Sequence, residues 1–121
     1  MPTKNNPFRI RSKIWIENKE GQIIFGAGRL EILAAIVRNG SIHAAAKELK
    51  MSYRAVWGKL KDTEDRLGKP LLVRQIGGTS GGGSGLTDFA KKLLQTFADF
   101  QTDVENDISN LFEKSFSPRD L

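Results

Sequence analysis

Two serines eleven positions apart, each just ahead of a short amphipathic segment, constrain this chain more than any other feature. Ser41 precedes IHAAAKEL, in which Ile42, Ala45, Ala46 and Leu49 fall on one face at helical spacing. Ser52 precedes Tyr53 to Leu67, whose apolar stripe is Val56, Leu60, Thr63 and Leu67 and whose stop is Gly68. A serine oxygen in that place accepts an otherwise unpaired backbone N–H of the first helical turn, so each segment begins at its serine. Only Lys50 and Met51 lie between the two, enough for a tight turn and nothing more. The small alanines permit close approach of the helices. The expected unit is two short helices locked by a turn, the second presenting Arg54, Gly58, Lys61 and Asp65 away from its stripe, with Tyr53 and Trp57 on the flanks.

Upstream, FRIRSKIWIE alternates, with Phe8, Ile10, Ile14 and Ile16 at even positions and mostly charged residues between them. That pattern predicts a strand with one buried face, Trp15 lying on the other. Asn18-Lys19-Glu20-Gly21 is a turn signal and Gln22 to Phe25 the return, giving a β-hairpin over 9–25. Gly26 to Gly28 is expected to break the chain. Arg29 to Asn39 reads as a helix with Leu30, Leu33 and Val37 on one face and Gly40 as its stop. Ile32 and Ile36 widen its apolar surface, as if for a partner subunit. Downstream, Pro70 forbids helix continuation and Leu71 to Ile76 reads as a strand. Gly77 to Gly85 has six glycines in nine residues and is expected to be a loop. From Thr87 or Asp88 a long helix carries Phe89, Leu93, Phe97, Phe100, Val104, Ile108 and Leu111 three or four residues apart, close to a coiled-coil seam.

The expected fold class is α+β: a winged helix-turn-helix with an N-terminal β-hairpin and a long C-terminal dimerisation helix. The expected domain plan is a flexible start over 1–7, the hairpin and winged helix-turn-helix over 8–86, the dimerisation helix over 87–114 and a tail over 115–121.

Composition narrows the function. The chain has 121 residues and a formal charge of +5. Residues 1–74 carry 15 basic and 7 acidic side chains, a balance of +8; residues 75–121 carry 4 and 7, a balance of −3. The basic excess therefore coincides with the helical pair, which suits a polyanion. Without cysteine, disulfides and thiolate chemistry are excluded, and the single His43 excludes multi-histidine metal sites. His43 reads as an ordinary surface histidine. No apolar run approaches the ~20 residues of a membrane helix. A cytoplasmic DNA-binding protein that is not an enzyme, with no metal or cofactor, is the expectation.

A helix fits the major groove of duplex DNA, its N-terminal residues reaching base edges and its cap N–H groups meeting phosphate. The candidate DNA contacts are Ser41, Ser52, Tyr53, Arg54, Trp57, Lys61 and Arg74, with the loop residues Gly77, Gly78, Thr79, Ser80, Gly81 and Gly82. Trp57 reads equally well as core. The candidate dimer contacts are Ile32, Ile36, Leu93, Phe97, Phe100, Val104, Ile108 and Leu111. A nucleotide site in the glycine loop is disfavoured, because the G-x-x-x-x-G-K-[ST] pattern is absent. The competing class is a docking module that uses the same fold to hold another protein.

Gly40-Ser41-Ile42, Ala45-Ala46-Lys47, Met51-Ser52-Tyr53-Arg54, Val56-Trp57, Leu67-Gly68 and the run from Gly77 to Gly83 followed by Leu86-Thr87 resemble the N-terminal DNA-binding domain of the ModE molybdate-responsive regulators. More loosely, Ser41, Ala45, Ala46, Leu49, Ser52, Ala55, Val56, Leu67, Gly68, Leu71 and Arg74 resemble the helix-turn-helix of LysR-type regulators. The resemblance covers roughly residues 28–112. It implies a DNA-binding transcriptional regulator; pairing of two copies through the long helix 87–112, and through helix 29–39, is expected to make it a homodimer on a pseudo-palindromic duplex. ModE-type regulators continue into an oxyanion-sensing domain; none is expected within these residues, and molybdate or tungstate binding is not expected.

Overall fold

The structure is a computed structural model, and it describes residues 7–75 and 83–121. The flexible start expected over 1–7 lies outside the described residues, Pro7 excepted. So do Ile76 and the loop residues Gly77 to Gly82. The elements run β1 (Trp15–Glu17), β2 (Ile23–Gly26), α1 (Ala27–Asn39), α2 (Ile42–Leu49), α3 (Tyr53–Leu67), β3 (Leu72–Gln75), β4 (Gly83–Leu86) and α4 (Asp88–Ser115). This is the α+β winged helix-turn-helix, hairpin first and long helix last.

The hairpin forms around Asn18. Its side-chain oxygen accepts the N–H groups of Glu20 (3.1 Å) and Gln22 (2.9 Å), and Gly21 supplies the positive φ of 82° that the turn requires. The strands are shorter than the alternation predicts. β1 starts only at Trp15, because β2 has four residues before α1 begins and offers no partner to the segment from Phe8 to Ile14. Phe8, Ile10 and Ile16 are accordingly exposed, and Ile14 alone of the even positions is partly buried. Residues Arg9 to Ser12 instead line a shallow cleft with Glu105, Ile108 and Ser109 of α4. The hairpin reaches the core through β2, where Ile24 and Phe25 are buried in succession.

Gly26 does not break the chain. It closes β2 and stands as the N-cap of α1 in extended conformation, and Gly28 lies in the first helical turn. The buried face of α1 is Ile32, Leu33, Ala35 and Ile36, while Val37 is exposed. The reason is that α1 is enclosed on several sides at once, by α2, α3, α4, β2 and β4. The Phe25 ring meets Phe97 of α4 edge-on at 5.2 Å, which joins the hairpin to the long helix.

In the wing, β3 and β4 pair antiparallel, with Leu72 opposite Leu86, Val73 opposite Gly85, Arg74 opposite Ser84 and Gln75 opposite Gly83. The expected loop thus ends earlier than Gly85. A strand ladder is made by backbone groups, so residues without side chains still pair once Leu72 and Leu86 fix the register. The base of the wing is clamped. Glu64 Oε2 accepts the Leu71 N–H at 2.7 Å, and the Thr87 hydroxyl donates to the Pro70 carbonyl at 2.9 Å while capping α4.

Two polar clusters hold the helices. The Thr63 hydroxyl, fully buried, accepts Arg29 Nε at 2.8 Å and lies 3.2 Å from the Ile24 carbonyl and 3.1 Å from that of Lys59, sharing its one proton between them. At the surface, Arg38 pairs through two nitrogens with Glu48, whose Oε1 also accepts Asn39 Nδ2 at 2.9 Å; this clips α1 to α2. The hydrogen bonds from Arg38 and then Asn39 pull the Glu48 carboxyl down to about 2.

Each cluster makes a prediction. Thr63→Val keeps the shape and removes the hydroxyl, so urea unfolding is expected to show a loss of about 1–3 kcal/mol, as for other orphaned buried partners; Thr63→Ser is expected to retain most of it. For Glu48 the folded pKa lies below the unfolded one. Its contribution is complete above the unfolded value of about 4.3 and disappears as pH falls toward 2. Melting temperatures of wild type and Glu48→Gln are expected to differ above pH ~4.5 and to converge near pH 2.

Candidate nucleic-acid interface

The geometry of α2 and α3 follows from their ends. Ser41 Oγ accepts the Ala44 N–H at 3.1 Å and Ser52 Oγ accepts the Ala55 N–H at 3.0 Å, so both serines are the N-caps that their positions imply. Between the helices, Lys50 adopts a left-handed backbone (φ 57°), a conformation that favours glycine, and its N–H meets the Ala46 and Lys47 carbonyls. The Met51 N–H then bonds the Ala46 carbonyl at 2.9 Å, closing the turn. Behind α3, Val56, Leu60 and Thr63 are buried; in front, Tyr53, Arg54 and Lys61 are exposed and Trp57 is 46% exposed.

Trp57 is therefore not core. It stands on the outer face of α3 beside Arg54 and Lys61, which follow one another at helical spacing. Tyr53 is stacked on His43 of α2, ring centroids 4.3 Å apart and planes 25° off parallel. No spacing rule joins residues 43 and 53 across a turn, which is why His43 reads in the sequence as an isolated surface side chain. The stack gives Tyr53 a fixed platform at the start of α3. Lys61 is shared by two carboxylates of its own helix, Glu64 at 4.0 Å and Asp65 at 3.9 Å, and the pair with Asp65, exposed on both sides, is weak.

Between positions 41 and 61 stand five basic residues and one acidic residue, and that acid, Glu48, is already paired with Arg38. The exposed N-terminal half of α3 with the adjoining turn is thus a net cationic surface. Arg74 lies on β3 opposite Ser84. Gly77, Gly78, Thr79, Ser80, Gly81 and Gly82 lie outside the described residues. Among the described residues there is no group of three or more His, Asp or Glu side chains placed to hold a metal. No helix is long and apolar enough to cross a membrane among them.

The candidate dimer contacts separate into three kinds. Ile32 and Ile36 (1% exposed each) and Phe97 (3%) belong to this chain's own core and have no surface left for a second copy. Leu93 packs against that core in part, and Val104 and Ile108 are half-buried, Ile108 beside the segment Arg9 to Ser12. Phe100 (53%) and Leu111 (62%) are open apolar surface on α4.

Known proteins share this arrangement. The family model of bacterial regulatory helix-turn-helix proteins of the lysR family matches residues 28–91. The molybdenum-pterin-binding protein MopB of Rhodobacter capsulatus is 39% identical over 76% of this chain and 34% of its own length. The molybdenum transport protein ModE of Azotobacter vinelandii is 34% identical over 71% of this chain and 32% of its own. The transcriptional regulator ModE of Haemophilus influenzae is 42% identical over 57% of this chain and 27% of its own. The chain thus spans about a third of the length of the curated relatives it matches. Among solved structures, ArgP from Mycobacterium tuberculosis superposes with a TM-score of 0.52 and 27% identity, covering 70% of this chain and 30% of that one. The CbnR DBD in its DNA complex gives a TM-score of 0.58 over 74% of this chain and 97% of that one; at 21% identity it is a likeness of fold. The range matched by the family model contains both capped helices, α2 and α3. The family model covers more than half of the residues, and by that measure the chain belongs to the bacterial regulatory helix-turn-helix proteins of the lysR family.

Proposed function

We propose that this chain is a sequence-specific transcriptional regulator that acts as a homodimer on a pseudo-palindromic duplex, inside the cytoplasm. The observation that carries the reading is the two-sided α3: one stripe sealed in the core, the other a rigid, capped surface with Tyr53, Arg54 and Trp57 exposed at its N-terminal half. A surface held this firmly and this positive suits the major groove. In this reading Arg54 meets base edges and Tyr53 and Trp57 contact base methyl groups or the sugar backbone. The donating hydrogens of Ser41 and Ser52 are left for phosphate, since their oxygens accept the cap bonds. Lys61 meets phosphate from the middle of the helix. Arg74 and the loop from Gly77 to Gly82 meet the flanking backbone.

The dimer is assigned to α4. At about 1.5 Å per residue its 28 residues span ~42 Å, long enough to run beside a second copy through Phe100, Val104 and Leu111. Ile32, Ile36 and Phe97 support that helix from within. Two α3 helices then lie about one DNA turn apart, roughly 34 Å. The reading places no molybdate or tungstate site in these residues; what the relatives' names say of molybdenum is said of them.

Two measurements test it. Selection of bound duplexes from a random library is expected to return a palindromic motif; against that motif Arg54→Ala is expected to lose about 1–3 kcal/mol and to relax preference at one position per half-site. An equal loss on all sequences would make Arg54 a phosphate contact, and absence of DNA binding even at low salt would move the chain to the docking class. Light scattering is expected to give twice the chain mass for the wild type and the chain mass for Phe100→Glu/Leu111→Glu. A monomeric wild type at tens of micromolar would end the dimer model.

A further inference from the structure

A cleft of about 490 Å³ opens between the N-terminal hairpin and the helix-turn-helix. Its volume lies within the ~300–1,000 Å³ of small-molecule sites. The apolar walls are Ile14, Trp15 and Ile23 from the hairpin, Ile32 from α1, and Leu49 and Met51 at the turn before α3. Trp15 and Ile23 are large side chains, and each leaves close to half of its surface to water. The polar part of the lining is one-sided: Lys13, Arg29 and Lys59 against the single carboxylate of Glu31.

The cations are short of counter-charge. Neither Lys13 nor Lys59 has an ion-pair partner among the described residues. Arg29 is held in place by its Nε bond to Thr63. Burial first and the neighbouring Arg66 second push its pKa down, and only Asp62 works the other way. A bound anion relieves all three positive groups together.

We propose that this cleft binds a small amphipathic anion, a flat apolar body carrying one negative group, with the body against Trp15, Ile23 and Met51 and the charge toward Lys13, Arg29 and Lys59. The site reaches the reading surface from behind. Leu49 and Met51 flank the turn, Lys59 is part of α3, and Arg29 is bonded to α3 through Thr63. An occupant therefore shifts the seating of α3, and the affinity for DNA changes with it; that coupling rests on the regulator reading, whereas the site itself does not.

The test uses 8-anilinonaphthalene-1-sulfonate as the probe and N-phenyl-1-naphthylamine, the same rings without the sulfonate, as its neutral counterpart. The folded chain is expected to bind the sulfonate saturably, with amide shifts in ¹⁵N spectra at Trp15, Gly28 and Met51, and to bind the neutral compound about tenfold more weakly. Lys13→Glu/Lys59→Glu changes two exposed side chains and is expected to weaken the sulfonate about tenfold. Ile23→Ser, also at an exposed position, is expected to weaken both compounds. No saturable binding, shifts centred on α4, or equal affinity for the two compounds would overturn the site. For the coupling, saturating sulfonate is expected to change the Kd for duplex DNA by threefold or more in mobility shifts, and to leave the Lys13→Glu/Lys59→Glu chain unresponsive. An unchanged Kd with the probe bound would overturn the coupling, and a chain that binds no DNA would overturn the regulator reading while leaving the probe measurements to judge the site.

Discussion

One buried hydroxyl fixes how the parts of this domain sit on one another. Thr63 is the only polar side chain inside the core among the described residues, and it bonds α1 through Arg29, β2 through the Ile24 carbonyl and its own helix through the Lys59 carbonyl. An apolar core is permissive about rotation and sliding, because hydrophobic contact has little direction. A buried hydrogen-bonding group is not, because every misplacement leaves a partner unpaired. Arg66 repeats the attachment at the surface, donating to the Ile23 carbonyl at 2.7 Å. Both bonds tie α3 to the hairpin, an element outside the helix-turn-helix proper.

Charge within α3 is graded along its length. Its first nine residues carry Arg54, Lys59 and Lys61 and no acid; Asp62, Glu64 and Asp65 follow at once. Glu64 is engaged with Leu71 and Lys61, and Asp62 with Arg66. The carboxylates of the second half are thus engaged within the domain, two of them with Lys61, and the first half of the helix remains the more positive. With the positive end of the helix dipole at Ser52, both gradients favour approach by the N-terminal end.

Much of this was legible in the sequence because local rules decided it. The serine caps, the Asn18 turn, the stops at Gly40 and Gly68 and the stripe of α3 each depend on neighbours within four residues. What sequence could not show was set by distant partners. The alternation of Phe8 to Ile16 is a strand pattern without a strand to pair with, since β2 is only four residues long. Ile32 and Ile36 look like surplus apolar surface on one helix and become core only because β4 and α4 close over α1. At the candidate interface, Tyr53 and Arg54 were readable from the cap they follow. The His43 platform, and the exposure that settles Trp57, come from the angle between two helices. The glycines of β4 concealed a strand, because the ladder needs only their backbone.

The hairpin also carries a constraint on how such a sequence can vary. A Cβ at Gly26 would stand 3.0 Å from Cβ of Trp15, directly across the ladder. Position 26 is confined by that neighbour and not by its own backbone, whose extended conformation any residue adopts. The close atom is the Cβ that every residue but glycine carries at position 15, so trimming the Trp15 ring does not relieve the contact; a side chain at 26 is accommodated only if the two strands move apart by a few tenths of an ångström.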